Sequence, residues 1–136
     1  MINIFFIKNV LDVDRQFEVQ TKSGQNLLMP ETTPRFSKNI KLLEHAKKYN
    51  RPVVLRVENG NIMRVMHCEQ GHVMQIAEDE NGGFKITFLP QAGVYKLHKE
   101  KRQTLQLIKN AKRSKKPIWF GVYINNILLV KLVEDE

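Results

Sequence analysis

The sequence predicts an α+β protein of two degenerate β-β-β-α-β-β repeats. Each repeat forms a small barrel-like half, and the halves either pack together or join in one pseudo-twofold domain. Three observations predict it. A helix, a proline and a hairpin recur at a constant offset of 65 residues. Apolar runs of strand length dominate the rest of the chain. Turn dipeptides separate those runs at short intervals. At 136 residues the chain suffices for one domain or two very small ones, read as 1–68 and 69–136, each with a single helix.

The offset aligns Ile40–Lys47 with Leu105–Lys112, then Pro52 with Pro117, Val53 with Ile118, Leu55 with Phe120, Val57 with Val122, Ile62 with Ile127 and Val65 with Val130. Upstream, an offset of 67 pairs Phe17 with Phe84 and Val19 with Ile86. A duplication accounts for strand, helix and hairpin recurring in one order; convergent use of a common helix-Pro-hairpin unit is the alternative.

In the first half, Ile2–Val13 is a long β-rich stretch, apolar on both faces as in a strand covered by neighbours. Phe17, Val19 and Thr21 alternate with polar residues, Ser23-Gly24 turns the chain, and Leu27–Met29 forms a short strand ended by Pro30 and Pro34. Ser37 is read as the N-cap of a helix with Ile40, Leu43 and Ala46 inward, ending near Asn50. Pro52–Glu58 and Asn61–His67 alternate around Asn59-Gly60, a tight-hairpin signal. The second half repeats the order: strands near His72–Ile76, Phe84–Leu89 and Val94–Leu97, a helix from about Lys99 to Ser114 with Leu105, Ile108 and Ala111 inward, and a closing hairpin turning at Asn125-Asn126. Three strands, one helix and two strands is the chain order of the oligonucleotide/oligosaccharide-binding barrel, so each half is OB-like in order alone. The rival is a single α+β domain in which strands from both repeats share one sheet or barrel.

The formal net charge of +8 is concentrated. Residues 35–51 hold six cations against Glu44, a net +5, and residues 99–116 hold eight against Glu100, a net +7, which leaves −4 elsewhere. One reading is a solvated, dipole-compatible helix face. The other is attraction of a polyanion, most simply nucleic acid, through Lys47 and Lys48 on the first helix and Lys99, Lys101, Arg102, Lys109, Lys112, Arg113, Lys115 and Lys116 around the second. Alternation over Ile118–Ile124 puts Trp119, Gly121 and Tyr123 on one face, two aromatics about a bare glycine. That face is either a stacking platform with Lys85 and Lys131 beside it or an interface with the other repeat or a second subunit.

Sites for chemistry are not evident. His67, Cys68 and His72 lack a fourth ligand, and strand alternation would send adjacent side chains to opposite faces, so no metal is expected. Glu78, Asp79 and Glu80 precede Asn81-Gly82-Gly83 without the oxygen spacing of a calcium loop and read as a solvated turn. The remaining acids include the Glu134-Asp135-Glu136 run, and no phosphate loop, nucleophile elbow or cofactor motif is present. The expectation is a non-enzymatic cytoplasmic binding module without cofactor or membrane span, contacting nucleic acid; the alternative is a protein-interaction or assembly factor acting as a homodimer.

Overall fold

A computed structural model describes residues 1–133; the acidic run 134–136 lies outside the described residues. The chain divides into two compact units, Met1–Cys68 and Glu69–Glu136. The fold is α+β, with ten strands and two helices among the described residues. Each unit has its own five-stranded closed sheet, so the single-sheet alternative does not hold among the described residues.

The first unit contains β1 (Ile2–Asp12), β2 (Gln16–Thr21), β3 (Asn26–Pro30), α1 (Phe36–Lys48), β4 (Pro52–Glu58) and β5 (Asn61–Met66). Its barrel closes in the order β1-β2-β3-β5-β4. All pairs are antiparallel except β3 with β5, which run parallel. Alternation sends Val19, Leu27, Met29, Leu55, Val57 and Ile62 into the barrel, where α1 adds Leu43 and Ala46. The sequence stripe missed Asn39, which is buried one turn before Leu43. Its Nδ2 donates to the Pro34 carbonyl at 3.2 Å and its amide to the Arg35 carbonyl at 2.8 Å, so a polar side chain ties the incoming loop to the first turn. Ser37 is not the cap. The N-cap position lies two residues earlier, at Arg35 with φ 61°, and no side chain caps the helix there. The Asn59-Gly60 hairpin is realised with φ 52° and 77°, the doubly positive pattern of a type I′ turn.

The second unit contains β6 (Cys68–Glu78), β7 (Phe84–Leu89), β8 (Val94–Leu97), α2 (Arg102–Ser114), β9 (Ile118–Tyr123) and β10 (Asn126–Leu132). It closes in the order β6-β7-β8-β10-β9. Strand β6 extends well beyond the expected His72–Ile76 because Gly71 continues it: a Cβ there would lie 3.1 Å from the Leu89 carbonyl and 2.5 Å from Gln91 Oε1, a gap only glycine leaves. The core centres on Phe88 and Phe120, stacked at 4.0 Å, with Tyr95 set edge-on to both. The β6–β7 turn is organised by Asp79, whose Oδ1 accepts from the amides of Asn81 and Gly83 at 2.9 Å. The last hairpin turns one residue earlier than expected, at Ile124 (φ 46°) and Asn125 (φ 62°), because Asn126 is committed to pairing with both β8 and β9.

Candidate nucleic-acid interface

Cross-strand register builds the site in the second unit. Tyr123 of β9 pairs with Asn126 of β10, Asn126 with Lys96 of β8, Lys96 with Lys85 of β7, and Lys85 with Ala77 of β6. Residues in register share a face, and these five are exposed or half-exposed, whereas the next row contains the buried Ile86. With strands about 4.8 Å apart, Tyr123, Asn126, Lys96 and Lys85 cover about 15 Å of outer barrel surface. Two lysines directly opposite one another repel, and no described carboxylate forms an ion pair with either. An anion laid across the row would relieve that repulsion.

The first unit carries the register-equivalent row Glu58, Asn61, Leu28, Glu18 and Leu11. Asparagine occupies the second place in both, but Leu28 stands where the second unit has Lys96, and glutamates stand where it has Tyr123 and Lys85. Glu58 also holds Arg56 in an exposed ion pair at 3.1 Å. The two register rows therefore differ in charge: the first holds two carboxylates and no cation, the second two lysines and no carboxylate.

At the other end of β9, Trp119 pairs with exposed Lys131. Lys115 and Lys116 lie between the end of α2 and this strand, so the basic end of the helix runs directly into the aromatic face. Trp119 and Tyr123 are four residues, about 13 Å, apart along the strand. Trp119 is half-buried and Tyr123 is 40% exposed. Gly121 between them is buried, so the surface is two separate aromatic positions and not a flat sheet over a bare glycine.

Lys99, Arg102, Lys109, Lys112, Arg113, Lys115 and Lys116 are exposed, and no described carboxylate forms an ion pair with any of them. Lys101 differs: its Nζ donates to the Leu128 carbonyl at 2.7 Å, fastening the start of α2 to β10. Lys47 and Lys48 lie in the last turn of α1, with Lys48 Nζ 5.4 Å from the Tyr49 ring centre. The sequence reading missed Lys96. Alternation within Val94–Leu97 could have placed it outward, but its pairing to Lys85 is set by barrel closure. Beneath this face, Tyr95 donates its hydroxyl to Glu69 Oε2 at 3.1 Å, and burial, with the Glu69 charge second, raises its pKa above 10.0.

In the first unit, a half-open groove of about 440 Å3 lies between α1 and the neighbouring ends of β4 and β5. His67 and Cys68 both line it, contrary to the alternation argument, because the chain passes from β5 to β6 between them and no single strand contains both. No cluster of three or more His, Cys, Asp and Glu suited to a metal occurs among the described residues. No described helix is long and apolar enough to cross a membrane.

Comparison with protein-family models, curated proteins and solved structures finds no match.

Proposed function

We propose that the second unit is a non-enzymatic nucleic-acid-binding module that lays a single strand across the outer face of β7, β8, β10 and β9. The single observation that carries this reading is the register row Lys85–Lys96–Asn126–Tyr123. It sets two cations beside an aromatic ring, the combination that grips phosphates and stacks bases without reading sequence. The cations of α2 extend the same chemistry through Lys115 and Lys116 to Trp119. The strand order 1-2-3-5-4 supports an OB-like assignment for both units, and that architecture binds its ligands on strands 2 and 3 with the adjoining loops. Strands 2 and 3 of the second unit are β7 and β8. The same order in both units, together with the offset of 65, supports a duplication after which only one copy acquired the cationic face. The single cysteine fits the cytoplasm as its compartment.

The test is fluorescence anisotropy of a labelled mixed-sequence single-stranded oligonucleotide, titrated at several salt concentrations. Lys85→Glu with Lys96→Glu should weaken binding at least about tenfold and lower the salt slope by ~0.7 for each phosphate no longer neutralised. Glu18→Gln with Leu28→Gln, at the matching places in the first unit, should leave affinity within about twofold. No binding by the unaltered protein at low salt would end this reading.

One observation favours a second reading as a self-association surface: Leu89, Val94 and Ile124, on the same strands and loop, are 53%, 50% and 76% exposed. A concentration-dependent dimer that excludes the oligonucleotide would support it.

A further inference from the structure

We propose that the groove of the first unit is a binding site for a nucleoside monophosphate, separate from the strand-binding face of the second unit. One wall is a single stripe of α1, with Lys38, Lys41, Leu42 and His45 at helical spacing. Opposite are Arg51 just before β4, Pro52 and Val53 from its start, and Met66, His67 and Cys68 from the end of β5 and beyond.

Two chemistries are sorted between floor and rim. Ala46, Pro52, Val53 and Met66 are buried and Leu42 half-buried, which makes the floor apolar. Lys38, Lys41 and Arg51 are exposed with their charges in solvent, and His45 and His67 add polar imidazoles. No carboxylate lines the groove; Glu44, the one acid of α1, is absent from its walls. The His45 ring is held against Tyr49, with centroids 4.6 Å apart.

An apolar floor under a rim of one sign requires a ligand with an apolar body and an anionic head. The volume lies toward the small end of the range for small-molecule sites, ~300–1,000 Å3. A flexible acyl chain in a half-open trench would leave much of its length in water, and ordering it would be costly. A flat heteroaromatic ring covers a shallow apolar floor with no such ordering. Its phosphate can meet several cations at once, since Lys and Arg donate charge-assisted hydrogen bonds to phosphate oxygens. Inorganic phosphate would use the rim alone and adenosine the floor alone.

Two-dimensional 1H–15N NMR and calorimetric titration of the full chain with AMP test the site, with adenosine, inorganic phosphate and decanoate as comparison ligands. AMP should shift the amides of 38–53 and 66–68 and bind at least about tenfold more tightly than each comparison ligand. Lys41→Glu with Arg51→Glu, both exposed and outside the core, should reduce AMP affinity at least about tenfold. Lys85→Glu with Lys96→Glu should leave AMP affinity unchanged while oligonucleotide binding falls, so either site can fail without the other. The proposal is overturned if phosphate matches AMP, if decanoate binds better, or if AMP shifts no groove amide. The wild-type titration decides the matter even where the charge-reversed variant folds poorly.

Discussion

Ile124 is 76% exposed and sits at φ 46°, a left-handed conformation that a β-branched side chain adopts only under strain. Asparagine takes this turn position readily, as Asn59 does at φ 52° in the first hairpin. Ile124→Asn should therefore stabilise the protein by about 1 kcal/mol, read as a higher urea midpoint at unchanged slope. Tyr95 gives a pH-dependent counterpart. Burial and the Glu69 carboxylate raise its pKa, so in the folded protein it resists ionisation while the unfolded chain ionises near 10.0. Its contribution is complete below that pH and is lost as pH climbs through the folded-state value. Tyr95→Phe should lower stability by about 1 kcal/mol at pH 7 through loss of the hydrogen bond to Glu69. It should also flatten the decline of stability as pH rises past the unfolded-state value of 10.0, measured by urea unfolding.

The helices show how an element's charge and geometry can pull in different directions. Helix α2 is followed by Lys115 at its C-cap, at φ 57°, while the Lys116 amide donates to the Ala111 carbonyl at 3.2 Å. Such helix ends favour glycine, yet a lysine stands here, four residues before Trp119. Lys115→Gly should raise stability by about 0.5–1 kcal/mol and weaken oligonucleotide binding, so thermal unfolding and anisotropy should move in opposite senses. The buried stripe of α2, Ile108 and Ala111 with half-buried Leu105, was legible from spacing alone, because a 3.6-residue period leaves one apolar face. Helix α1 was legible except at its start. Serine at position 37 resembled a cap, but Asn39 supplies the loop contact from inside the helix, a role that depends on where the Pro34 carbonyl falls. Strand bounds were recovered best where Gly or Pro punctuated them, as in Pro52–Glu58 and Phe84–Leu89. They were recovered worst for β6, expected near His72–Ile76 and found over Cys68–Glu78, with Gly71 a point of close approach inside it.

Taken across the molecule, charge amount and charge placement became known from different sources. Local periodicity and backbone preference were enough to establish the α+β class, the two helices with their cationic surplus, the Asn59-Gly60 turn and the outward position of Trp119 and Tyr123. It took the closed barrels to show that Lys96 stands against Lys85 and, through Asn126, beside Tyr123. The same closure revealed that Glu18 and Glu58 hold the matching places in the first barrel, and that Lys38, Lys41, Arg51 and the two imidazoles share one groove. Those neighbours come from strands and helices far apart in the chain. Their juxtaposition is set by the register at which each barrel closes, and register is a property of the whole sheet that no short window of residues contains.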